Sequence, residues 1–149
     1  MEQARLKEKP FLELSRHYPV APEKVWRAWT DAEALKKWWA PESGGVALAE
    51  LDVRVGGRYR IVFGGPDNNA NEVAGVYREV VANRKLSFTW SWPRTTPERE
   101  SLVTIVFRRA GEGTELQFRH EQFFDEVSRD NHKRGWTAAL DKLGGFLKP

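Results

Sequence analysis

Apolar and polar residues change their repeat several times along this chain, and each change marks an element. From Phe11 to Tyr18 they alternate, Leu12 and Leu14 against Glu13 and Ser15, which predicts a strand stopped by Pro19 and by the pair Ala21-Pro22. Pro22 suits the first turn of a helix over about 22–30 that gathers Val25, Trp26, Ala28 and Trp29 on one broad side. A second short helix should follow at once. Thr30-Asp31-Ala32-Glu33 has the form of a capping box, with the Thr30 oxygen accepting from the Glu33 amide. Leu35, Trp38 and Trp39 then recur at helical spacing, and Pro41 marks the end.

From Val46 the repeat becomes twofold and stays so as far as His120. Ala49, Leu51, Val53 and Val55 alternate with Glu50, Asp52 and Arg54, and Gly56-Gly57 would supply the two positive-φ positions of a tight hairpin. Tyr59, Ile61 and Phe63 carry the apolar face onward, Gly64 to Asn69 forms a loop, and residues 73–81 form a strand in which Gly75 leaves space for a neighbour. Leu86, Phe88, Trp90 and Trp92 alternate with small polar residues. After a loop from Pro93 to Pro97, Val103, Ile105 and Phe107 define a strand, and Gly111-Glu112-Gly113 turns it into Leu116, Phe118 and His120. Helical spacing returns from about Ser128 to Leu147, with Trp136, Leu140, Leu143 and Leu147 on one face and Ala139 and Phe146 beside it. Gly144-Gly145 predicts close packing, a bend or fraying at its end.

The order is therefore β-α-α-β6-α, an α+β chain whose curled antiparallel sheet can be covered only by the long C-terminal helix, with the short helices closing one end. Residues 1–10 form a polar N-terminal arm and residues 11–149 one domain, since 149 residues suffice for a single core. The absence of Cys excludes disulfides, thiolate metal sites and cysteine nucleophiles, and fits a reducing cytoplasm. No apolar run is long enough to span a bilayer, and Met1 to Arg5 lack the apolar core of a signal peptide, so export is not expected. The net charge of +3 comes from cations interleaved with acids, as in Pro97-Glu98-Arg99-Glu100, which is a solvated mixed surface and not a nucleic-acid stripe.

Several stretches carry a family resemblance. Ala21-Pro22-Glu23-Lys24-Val25-Trp26-Arg27-Ala28-Trp29-Thr30-Asp31 and Lys37-Trp38-Trp39-Ala40-Pro41 resemble the SRPBCC (START-like) superfamily, in its activator-of-Hsp90-ATPase-homologue-like branch. Asp52 to Tyr59 looks like that branch's D-x-R-x-G-G-x-Y signature. Gly75-Val76-Tyr77-Arg78-Glu79-Val80, Thr89-Trp90 and the helix from Gly135-Trp136 to Leu147 fit as well, so the resemblance spans about residues 11–147. It implies a helix-grip fold, a curved antiparallel sheet wrapped around a long C-terminal helix with an internal cavity that relatives use for lipids, sterols, polyketides or other apolar molecules. The co-chaperones behind the family name carry a separate Hsp90-engaging domain for which this chain has no room, so an Hsp90-type partner is not expected.

Candidate chemistry is sparse. His17, His120 and His132 are too scattered for a familiar metal spacing, and no metal or cofactor is expected. Gly56-Gly57 leads into a strand, unlike a phosphate-cradling loop. None of the serines, Ser43 among them, sits in a nucleophile elbow. His120 shares the inward face with Leu116 and Phe118, and is either a hydrogen-bonded structural histidine or a ligand contact. Tyr59 and Tyr77 pose the same choice. Asp52 and Arg54 read as a charge pair that sets the hairpin, or, in the opposite register, as cavity groups. Trp26 and Trp29 should pack the short helices on the sheet, whereas Trp38, Trp39, Trp90 and Trp136 either line a pocket or fill the core.

Three functions compete. The first is binding of a small apolar or amphipathic molecule by Trp38, Tyr59, Tyr77, Phe88, Trp90, Phe118 and Trp136, with His120 as the orienting polar group. The second is a cyclase, dehydratase or hydrolase-like enzyme with His120 as acid or base. The third, from the family name alone, is a co-chaperone-like interaction module. A homodimer is compatible with each.

Overall fold

The computed structural model describes residues 9–39 and 45–149. Residues 1–8 of the expected arm at 1–10, the Ala40-Pro41 end of the second match with its helix stop, and Ser43 lie outside the described residues. The elements are β1 (Leu12–Tyr18), α1 (Pro22–Thr30), α2 (Ala32–Lys36), β2 (Val46–Leu51), β3 (Arg58–Phe63), β4 (Asn71–Val81), β5 (Lys85–Trp92), β6 (Thr96–Ala110), β7 (Gly113–Glu121) and α3 (Glu126–Phe146). The expected order of one strand, two helices, six strands and a helix holds. All seven strands form one antiparallel sheet in the order β1-β7-β6-β5-β4-β3-β2, so successive hairpins carry the chain from β2 to β7 and β1 closes on the last of them. This is the curved sheet and C-terminal helix of the helix-grip fold.

The core lies between the concave face and α3. Ile61, Val73, Leu86, Val103, Ile105 and Leu116 form one buried cluster with Ala139, Leu140 and Leu143. Each large side chain so buried contributes about 1.5–3 kcal/mol, offset largely by lost chain entropy. The Tyr18 hydroxyl donates to the Leu140 carbonyl at 2.9 Å and ties α3 to the edge of the sheet. At the other end α1 buries Val25, Ala28 and Trp29, with Trp29 stacked on Phe118 at 6.3 Å and Trp26 edge-on to Phe107 at 5.3 Å. Among the described residues, no helix is long and apolar enough to cross a membrane.

Four local expectations need correction. The cap of α2 is Asp31, whose Oδ1 accepts from the Glu33 amide at 3.0 Å, because Thr30 is still helical and donates back to the Trp26 carbonyl at 2.9 Å. β2 ends at Leu51, and residues 52–57 form a wider turn in which only Gly56 has a positive φ, 86°. Gly57 is needed for a different reason, since a Cβ there would lie 2.0 Å from the Asp52 carbonyl oxygen. Val55 accordingly faces water, 65% exposed, despite continuing the alternation. The loop after β5 is shorter than Pro93 to Pro97, because β6 begins at Thr96; Pro97 is tolerated there since β7 pairs only from Leu102 onward. Finally, α3 starts at Glu126 with Asp125 as cap, its Oδ1 accepting from the Ser128 amide at 2.8 Å, and runs to Phe146, with the close packing expected at the glycines met at Gly144, where a Cβ would lie 3.4 Å from the Tyr18 ring. The space foreseen at Gly75 is real: a Cβ there would lie 2.0 Å from the Thr89 carbonyl oxygen and 2.7 Å from the Tyr59 ring.

Candidate functional site

The rings that alternation aims inward converge beside α3. β5 supplies Trp90 and Trp92, two residues apart and therefore on one face; β3 supplies Phe63; Trp39 follows α2; and α3 presents His132 and Trp136, one helical turn apart. Trp39 meets Trp136 edge to face with centroids 5.5 Å apart, and Trp136 lies 5.0 Å from Trp90 and 4.4 Å from Phe118. Large rigid rings meeting at such angles do not close every gap. A cavity of about 210 Å³ remains, lined by Trp39, Phe63, Trp90, Trp92 and Trp136, with Asn131, His132, Gly135 and Ala139 completing the wall along α3.

The two inner histidines are held neutral by donors that cannot reverse. An indole N–H only donates, so His120 Nδ1 must accept from Trp136 Nε1 at 3.0 Å. Its Nε2 then carries the proton and donates to Ser101 Oγ at 2.7 Å, and that hydroxyl donates to the Trp90 carbonyl at 3.3 Å. His132 has the opposite tautomer. Its Nε2 accepts from both Trp90 Nε1 and Trp92 Nε1, at 3.3 and 3.1 Å, and its Nδ1 donates to the Ser128 carbonyl at 2.7 Å. Burial pushes the His120 pKa well below the usual 6.5, and nearby His132 adds to the shift. Burial also lowers His132, against an opposing contribution from its bond to Ser128.

The residues proposed from sequence divide among four places. Trp90 and Trp136 line the cavity. Tyr59, Tyr77 and Phe88 border a separate void of about 10 Å³, with the Tyr59 hydroxyl donating to the Thr89 carbonyl at 2.5 Å. Trp38, Phe118 and His120 are packed solidly: Trp38 Nε1 donates to the Ala28 carbonyl at 3.0 Å, Phe118 sits against Trp29 and Trp136, and His120 lies off the cavity wall with both ring nitrogens engaged. Asp52 and Arg54 pair with each other in the exposed turn at 3.0 Å, on the polar side. His132, Phe63 and Trp92 were passed over, yet each had a signal. His132 is one turn before Trp136, and the two rings continue alternations already drawn.

Two buried indole N–H groups meet no acceptor, those of Trp39, 4% exposed, and Trp29, and both rings border the small void.

The model of the family described as "Activator of Hsp90 ATPase homolog 1-like protein" matches residues 19–148. Among solved structures, protein CV1439 from Chromobacterium violaceum is similar with 27% identity and a TM-score of 0.85, over 93% of this chain and 97% of that one. The AHSA1 protein SPO3351 from Silicibacter pomeroyi has 29% identity and a TM-score of 0.81, over 91% and 96%. CalU16 from Micromonospora echinospora, at 24% identity and a TM-score of 0.71 over 93% and 76%, shares the fold. No curated protein matches the chain in sequence.

Proposed function

Because the chain belongs to the activator of Hsp90 ATPase homolog 1-like family, we propose that it uses the cavity of this fold to bind a small, largely apolar molecule. The supporting observation is the void of about 210 Å³ walled by four tryptophans and a phenylalanine beside α3. An engineered cavity of about 150 Å³ already takes benzene, so a substituted aromatic ring fits by size. The reading does not need catalysis, for the nitrogen lone pairs of His120 and His132 are spent on indole N–H groups and neither imidazole is free to move a proton.

The test is a calorimetric titration with substituted benzenes, on the native chain and on Gly135→Leu. Gly135 lines the cavity, and a Cβ there meets no atom within 4 Å, so leucine can enter the void without disturbing the helix. Binding by the native chain that falls at least tenfold in the variant, with its thermal midpoint kept, supports the reading. A panel that binds neither protein, or both equally, refutes it.

A further inference from the structure

A neutral imidazole has one lone pair, and His132 spends it on two rings at once. Trp90 and Trp92 stand two residues apart on β5, and both Nε1–H groups donate to His132 Nε2, at 3.3 and 3.1 Å. On its other side the imidazole is tied to its own helix, Nδ1 donating to the Ser128 carbonyl one turn back at 2.7 Å. The helix thus fixes the imidazole, and the imidazole fixes two of the four tryptophans that wall the cavity. The two depend on it unequally. Trp90 is 4% exposed and also packed against Trp39 at 5.9 Å and Trp136 at 5.0 Å. Trp92 is half-buried at the end of β5, and its bond to His132 is the polar tie that holds its ring across to α3.

Resting on the binding function proposed above, we infer that His132 is a positioning residue for the ligand: it holds Trp90 and Trp92 as a wall of the cavity, so the ligand is kept while the imidazole is neutral and released when Nε2 takes a proton. An imidazolium has no lone pair, and its Nε2–H would face two indole N–H groups. Nothing packed against it offers a compensating negative charge. From β7 the titratable group is His120, 5.3 Å away between ring centroids, neutral and with both nitrogens engaged; Phe123, at 5.0 Å, carries no charge. Along α3, Asp130 is paired with Arg129, Arg134 is turned to Asn131, and Lys133 is an exposed cation. Burial holds His132 below its usual 6.5, so the wall is closed at neutral pH and opens only on the acid side.

The probe is isopropylbenzene, which does not titrate. Its Kd is followed by calorimetry from about pH 8 downward for the native chain, His132→Gln and His132→Leu, with circular dichroism confirming the fold at each pH. The native Kd should stay flat to near the ordinary 6.5 and then rise, approaching about tenfold per pH unit below the folded value of His132. The glutamine Oε1 replaces Nε2 as acceptor and does not titrate, so His132→Gln should keep most of the affinity and lose the acid rise, although His120 is still present. His132→Leu removes the acceptor and should weaken binding at least about fivefold at every pH. Three results would each overturn the positioning role and leave the binding function standing: a native profile as flat as that of His132→Gln, native affinity in His132→Leu, or equal losses in the two variants. No binding by the native chain at any pH would sink both. Should the variants not fold, the titration of the His132 ring in the native chain gives the same answer by NMR. Isopropylbenzene must move its midpoint to lower pH, and an unmoved midpoint refutes the inference.

Discussion

Acid should unfold this protein earlier than its carboxylates require, because two imidazoles are buried in tautomers that leave no room for a second proton. At His120 a proton on Nδ1 would confront the Trp136 N–H, and at His132 a proton on Nε2 would confront two indole N–H groups. The unfolded chain has no such conflict and binds protons near the ordinary value of 6.5. Both native values lie below it, so the unfolded state holds more protons as pH falls and stability drops. The loss starts near the unfolded value and ends once the folded histidines titrate. For His120 the slope is bounded by about 1.4 kcal/mol per pH unit, the limit for one proton, and His132 acts in the same direction. Against a typical stability of about 5–15 kcal/mol this is easily measured. Urea unfolding followed by tryptophan fluorescence at closely spaced pH values gives the curve. The variant His120→Gln should lose about one proton's worth of slope, whatever its own stability. Identical slopes above about pH 5 in the two proteins would refute the assignment of these tautomers.

Three further outcomes are expected. Ser101→Ala strips the acceptor from the His120 Nε2–H and should cost about 1–3 kcal/mol in urea unfolding, far more than an exposed serine would. Gly75→Ala forces a Cβ against the Thr89 carbonyl and the Tyr59 ring, and should lower stability by at least about 2 kcal/mol; an unchanged thermal midpoint would contradict the packing. Gly135→Ala adds a methyl group into open space within α3 and should raise stability by about 0.5–1 kcal/mol, read from the same unfolding curves.

The architecture was legible because its signals are local and repeat: the twofold alternation through Leu86, Phe88 and Trp90 and the helical spacing from Trp136 to Leu147 can each belong to only one kind of element. Boundaries failed where chemistry ran past geometry. Val53 and Val55 keep the strand's alternation, but the close approach of Gly57 to Asp52 turns the chain first. At the site, parity told which rings face inward and nothing of the space among them. Trp38 and Trp39 are adjacent and equally buried, yet Trp38 finds the Ala28 carbonyl and Trp39 finds a void. His132 was hidden because its neighbours Asn131, Lys133 and Arg134 make that turn of the helix look wholly solvated.

The place of β1 in the sheet also dictates when it can be used. Leu12 pairs with His120 and Tyr18 with Thr114, so the first strand made has its partner among the last. At about 5–20 residues per second, a ribosome leaves that segment single for several seconds while the hairpins from β2 to β7 assemble one after another. During this interval its apolar positions, Leu12 and Leu14, are open to any other strand edge, and the charges of Glu13 and Arg16, one on each face of the strand, oppose such pairing. Docking of β1 is then a long-range closure, and the chain should commit to its native state only after β7 has left the ribosome.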